Sequence, residues 1–225
     1  MREDDEVAAG SGAARDERDR DPSRVLALTD AVFAIIITLL VLDIHVPELS
    51  AHETLQSAIS ALRPSFTSFV LAFIVAAMQW VGHRDLFTLI RYTDRGIVWL
   101  NLLGLFTVCL LPFGAALLAR YHSNPQAVRL FGLIVMATAL ARTAIWAYAT
   151  HRPSLVHEPL DRASIRSGLA LSAFPVLIYV IAFAIAKISP QACLILYLSA
   201  PVLYFIAITL LRWLAPRTSA ERYFT

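Results

Sequence analysis

Apolar residues run from position 24 to position 42, RVLALTDAVFAIIITLLVL, broken only by a few polar side chains, and comparable runs recur along the chain. A helix needs about 20 such residues to cross the hydrocarbon zone of a bilayer. Six segments qualify: about 25–43, 65–83, 97–118, 127–149, 167–187 and 192–214. The pattern predicts an all-α membrane protein with six transmembrane helices in one domain, residues 24–214. Polar segments 1–23 and 215–225 flank it. Six crossings return the chain to its starting side. Arg24, Arg84, Arg91, Arg95, Arg152, Arg162, Arg166, Arg212, Arg217 and Arg222 fall on that side, and only Arg63, Arg120, Arg129 and Lys187 on the other. Cytoplasmic loops retain positive charge, so both termini are expected to be cytoplasmic, in a multi-pass protein of an inner or plasma membrane.

The connection between the first two runs has a pattern of its own. Ser50-Ala51-His52-Glu53 has capping-box spacing, Leu55, Ile59 and Leu62 repeat at helical intervals, and Pro64 follows as a stop. A short amphipathic helix is expected there, either framing a pore mouth or simply packed at the membrane surface. Pro112, Pro175 and Pro201 fall in or near the ends of spans and predict kinks.

Composition strengthens the membrane reading, because 58% hydrophobic residues and a mean hydropathy of +0.64 exceed what soluble domains carry. The first 24 residues mix charges without apolar periodicity, as a solvated, disordered tail does. They lack the basic start and apolar core of a secretory signal, so no cleavage is expected. Cys109 and Cys193 sit in apolar runs without metal-ligand spacing and read as small buried hydrophobes. A net charge of +2, spread along the chain, does not suggest nucleic acid. Trp146, Tyr148 and Trp213 near span ends fit an interfacial aromatic belt.

One carboxylate interrupts the first run. A charge in the hydrocarbon zone costs on the order of 3 kcal/mol, so Asp30 should face protein or water and find a partner. Trp80, His83 and Phe87 recur at i, i+3 and i+7 on one face of the second span. Asn101 opens the third span at a similar depth, which makes an interhelical hydrogen-bond cluster with Asp30 a candidate. The cluster could serve gating, or it could only join helices, where each contact contributes on the order of 0.6 kcal/mol. Enzymatic readings find no support: the chain has no HExxH, GxSxG, Walker or dinucleotide fingerprint. His45, His52, His122, His151 and His157 fall in loops or at helix ends, where solvated imidazoles are expected.

The motif Arg24-Val-Leu-Ala-Leu28-Thr29-Asp30, followed by the run from Ala34 to Leu42, resembles the RxxxFSD signature of the transmembrane protein 175 family, the bacterial relatives of the lysosomal potassium channel. The likeness extends to Trp80-x-x-His83, to Asn101-Leu102-Leu103 and to Pro112-Phe113. Leu28 and Thr29 stand where the family has Phe and Ser, and Ala31 where it usually has glycine. Thr29 keeps a hydroxyl, and Leu28 keeps bulk without aromatic stacking. The resemblance implies a homotetrameric potassium channel whose first helices line the pore. Ile35, Leu39 and Leu42 would form hydrophobic constrictions, with Thr38 a hydroxyl ring past which K+ moves. It further implies that Arg24, Thr29, Asp30, Trp80, His83 and Asn101 hold the pore helix in register. Its partners would be further copies of itself, lipid and potassium ions; no cofactor or resident metal is implied.

Physics constrains that picture. The chain has no TVGYG loop whose carbonyl rings could strip an ion, so selectivity would have to come from side chains. A single apolar helix face makes a conduit only when several copies surround an axis. Read without the resemblance, the stack from Ile35 to Leu42 reads first as a helix-packing seam, since apolar helix faces generally meet other helices. A rival function is a secondary or proton-coupled carrier titrating Asp30 and His83. Carriers show repeated halves with a midplane polar site. This chain shows no convincing internal repeat, and Asp30 is too shallow for such a site. A scaffold without transport is the third reading.

Overall fold

The structure, a computed structural model, describes residues 20–49, 53–158 and 160–214, except for the side chains of residues 205, 207–209 and 211–214. The expected terminal tails (residues 1–19 of the first, all of 215–225), Ser50 to His52 of the expected capping box and the Trp213 side chain lie outside the described residues.

The described chain is helical. Helix α1, Ser23–Leu39, tightens into a 3-10 turn, Leu40–Asp43. The short α2, Leu55–Ala61, leads into α3, Arg63–Phe87. Helices α4, Arg95–Cys109, and α5, Leu111–Arg120, meet at Leu110. Then come α6, Pro125–Thr150, α7, Arg162–Ile185, and α8, Pro190–Leu214. Among the described residues five stretches are long and apolar enough to cross a membrane: Ser23–Asp43, Arg63–Phe87, Arg95–Arg120, Pro125–Thr150 and Arg162–Ile185. The described apolar part of the sixth helix, Pro190–Tyr204, is shorter.

Local chemistry sets the helix starts. Asp94, Asn124 and Asp161 each accept a hydrogen bond from a first-turn amide, of Ile97, Gln126 and Ser164 respectively. Such caps satisfy amides that have no partner within the helix. Hydrogen bonds from the Ser164 side chain and amide hold the exposed Asp161 carboxyl below its ordinary pKa. Their contribution is therefore present at neutral pH and is lost as pH falls through that lowered value.

Several expectations change. The amphipathic helix forms, but Thr54 caps it by accepting from the Ser57 amide 3.2 Å away. Pro64 opens α3 instead of closing α2, because a first-turn position needs no amide proton. The third span divides at Leu110, with Pro112 in the first turn of α5. Pro175 and Pro201 lie inside continuous helices. Trp146 is buried, its indole donating to the Ile165 carbonyl at 3.3 Å, so it belongs to the core and not to an interfacial belt. Cys193 is buried but Cys109 is exposed on α4. An apolar side chain on a spanning helix can face outward at no cost, since lipid is as apolar as the interior.

Helix α6 sits at the centre, packed by α3, α4, α5, α7 and α8, and half of its spanning window is buried. The main core joins Phe33 and Ile36 of α1 and Leu40 of the following 3-10 turn to Leu71 and Val75 of α3, Phe131 and Val135 of α6, and Tyr179 and Tyr197 of α7 and α8. A second core closes one end, where Leu89 and Ile90 pack with Ile97, Ile145 and Leu155. There the loops are stitched by backbone hydrogen bonds from Arg91 to Leu155, His157 to Leu89 and Thr93 to Arg20. This draws Arg20, Arg91 and Arg152, beside Leu155, to one end of the bundle.

A glycine lets a tyrosine of α8 reach the α6 backbone in the main core. A Cβ at Gly132 would collide with the Tyr197 hydroxyl, and that ring is fully buried with its hydroxyl donating to the Val128 carbonyl at 3.1 Å. Gly132→Ala is therefore expected to destabilise the bundle by about 3 kcal/mol, the upper end of ordinary overpacking costs, seen as a lowered melting temperature in detergent. An unchanged melting temperature would show that α8 can shift freely on α6.

Candidate functional site

Helix α1 has two faces of opposite character. Thr29, Phe33, Ile36 and, one turn on, Leu40 point inward and are buried, while Leu28, Ile35, Thr38, Leu39 and Leu42 point outward. Ile35 is 58% exposed, Leu39 43% and Leu42 67%. Only 22% of the spanning window at Ser23–Asp43 is buried, the lowest of the five spans. Within one subunit the most apolar span is also the least covered.

Polar side chains fasten the inner face. His83 donates from Nε2 to the Asn101 side-chain carbonyl at 2.7 Å, and Asn101 Nδ2 donates to the Thr29 hydroxyl at 3.0 Å. The Thr29 hydroxyl donates in turn to the Val25 carbonyl at 2.8 Å. Each link in this line pairs one donor with one acceptor, and Thr29 and Asn101 are 0% and 2% exposed. The His83 ring stacks on Phe87 with centroids 4.3 Å apart, which fixes its orientation. At the more exposed edge the Trp80 indole donates to Asp30 at 2.8 Å, while the Arg84 guanidinium lies over the indole ring. Three helices thus meet through α1 (Thr29, Asp30), α3 (Trp80, His83) and α4 (Asn101).

Two of the residues singled out from sequence stand apart. Arg24 and Leu28 are exposed on α1 and take no part in this cluster. The Thr38 hydroxyl donates back into its own helix, to the carbonyls of Ile35 at 2.8 Å and Ala34 at 3.1 Å. Its proton is engaged, and its oxygen remains an outward-facing acceptor. That is the polarity a cation requires.

A further group went unnoticed in the sequence. Gln79 donates to Thr138 at 2.9 Å between α3 and α6, and beside them lies the buried side chain of Arg142. The available signal was the arginine itself, set within the apolar run 127–149, where a charge marks a site worth attention.

Comparison with known proteins follows the same lines. The family profile described as "Endosomal/lysosomal potassium channel TMEM175" matches residues 24–112, the segment holding α1, α3, α4 and this cluster. A protein of Streptomyces collinus named a potassium channel is 36% identical over 151 residues, covering 65% of this chain and 73% of its own. One of Chamaesiphon minutus, also named a potassium channel, is 34% identical over 193 residues, covering 84% and 92%. The chain belongs to the TMEM175 family. The crystal structure titled as a lysosomal potassium-selective channel TMEM175 homolog from Chamaesiphon minutus superposes with a TM-score of 0.73 at 32% identity, covering 82% of this chain and 96% of that one. As a TMEM175-family member this is an all-helical, multi-pass membrane protein, and the relatives it matches are channels, not enzymes. The TMEM175 profile ends at Pro112, so α6 and α8, with Arg142 and Tyr204, lie beyond the family's matched segment.

Proposed function

We propose that this chain is a potassium-selective channel of a cell membrane. Four copies place their α1 helices around a shared axis, and both termini are cytoplasmic. One observation carries the reading: the span with the least cover in a single subunit bears a continuous outward stripe of Ile35, Thr38, Leu39 and Leu42. Cyclic symmetry turns each of these positions into a ring. Rings of isoleucine and leucine narrow enough to shed water close a path by dewetting. The Thr38 ring offers hydroxyl oxygens that replace part of a hydration shell, since each proton is held within its own helix. The role of Thr29, Asp30, Trp80, His83 and Asn101 is to seat α1 on α3 and α4 so that the stripe keeps its register. Arg24 completes the family motif at the cytoplasmic start of α1.

Single-channel recording of the reconstituted protein tests this. Discrete potassium currents of many ions per opening are expected. Flux that saturates at low turnover would instead indicate a carrier working through Asp30 and His83. Thr38→Ala is expected to lower the preference for potassium over sodium by several-fold, with current retained. About 1 kcal/mol of differential hydration at the ring amounts to roughly a fivefold change in ratio. An unchanged reversal potential under bi-ionic conditions would remove Thr38 from the selective element.

A further inference from the structure

Arg142 lies eight residues before the end of α6 at Thr150, about 12 Å along the helix. It is 8% exposed. Its Nε is buried and has no hydrogen-bond partner among the described residues. The side chain is nevertheless fixed. The Tyr204 ring of α8 faces it with its centroid 5.1 Å from Cζ, and on the other side it presses on Gly82 of α3, where a Cβ would collide with the guanidinium. An always-charged group is thus held rigidly inside the bundle with donors to spare.

Two cavities flank it, of about 30 and about 20 Å³. The larger is lined by Arg142, Gln79, His83, Asn101 and Thr138 among apolar side chains, and the smaller by Arg142, Gln79, Tyr179 and Tyr204. Among the described residues no carboxylate lines either one. A volume of about 30 Å³ accepts roughly two water-sized groups. The Gln79 amide has one N–H engaged, with Thr138, and the Asn101 amide one, with Thr29. Each keeps a second.

We propose that Arg142 and the amide donors around it form an intrasubunit binding site for a small monovalent inorganic anion of halide size. A buried guanidinium needs a counter-charge, the walls supply N–H donors without a competing carboxylate, and the space suits one small ion. Neither cavity is lined by Ile35, Thr38, Leu39 or Leu42, so the site does not share the exposed stripe of α1.

Diffraction from full-length protein crystallised in bromide tests this at the bromine absorption edge. An anomalous peak within about 3.5 Å of the Arg142 guanidinium nitrogens is expected, and it should vanish in Arg142→Met. Exchanging gluconate for chloride or bromide should also raise the melting temperature of the wild-type protein in detergent by about 3 °C or more, through preferential binding to the folded state. Arg142→Gln should lose that halide response. Should either variant fail to fold, the two wild-type measurements decide. An ordered cavity without a bromide peak, a carboxylate seated on Arg142, or a melting temperature indifferent to halide would overturn the proposal.

Discussion

Asn101→Ala is expected to loosen α1 from its seat and to lower the melting temperature in detergent by roughly 5 °C or more, at about 2 to 4 °C per kcal/mol for a chain of this size. The reason lies in the direction of the hydrogen bonds. Asn101 accepts from His83 and donates to Thr29, so it is the only link between α3 and α1 in that line. Removing it leaves the His83 N–H without an acceptor in a buried position, which costs about 1 to 3 kcal/mol. The Thr29 hydroxyl still has the Val25 carbonyl and loses less. Trp80→Phe gives the contrast: it removes the indole bond to Asp30 at the exposed edge, where water can take over, and should cost no more than about 1 kcal/mol. The decisive readout is channel activity measured with oligomer size. Asn101→Ala should reduce open probability or assembly even at temperatures where the subunit stays folded. A variant that melts, assembles and conducts like the parent would show that this cluster does not seat α1.

Ile35→Asn should have the largest effect on conduction. In a tetramer four side chains line one constriction, so a small change per subunit is multiplied. Replacing the apolar tip by an amide that holds water is worth at least about 0.5 kcal/mol on solvent-transfer scales. Four copies then lower the barrier to wetting by about 2 kcal/mol, or roughly 30-fold in leak current through closed channels. Ile35 is 58% exposed and lies outside both buried cores, so folding should be little affected. Recordings under conditions that keep the parent closed supply the test. A correctly assembled variant with no added leak would exclude Ile35 from the constriction. Phe33 serves as the control position on the same helix. It is buried against the core, so Phe33→Asn should impair folding without producing a leaky pore.

How much was legible beforehand differs from residue to residue. Asp30 drew attention as a carboxylate in an apolar run, and Trp80 and His83 as neighbours on one helical face. In the structure they serve two connected lines: Trp80 meets Asp30, and His83 reaches Thr29 through Asn101. Helical periodicity placed the residues on faces, but only the packing of α1 on α3 and α4 could pair them. Arg142 escaped notice because its run is apolar enough to span regardless, and its isolation depends on what five other helices bring near it. Trp146 misled for the opposite reason: its position near a span end suggests an interface, yet α7 packs over it there, with Ile165 accepting its indole proton and Gly168 against its ring.

Apolar run length and the spacing of Arg24, Asp30, Trp80, His83 and Asn101 were sufficient by themselves to point to an all-helical membrane protein and its family, because these signals are local or statistical. Which face of α1 is covered, which side chain receives each buried proton between helices and how Arg142 comes to lie between two cavities were decided by tertiary structure. These depend on contacts between residues as much as 72 positions apart. No periodicity along one helix encodes where another helix will cross it.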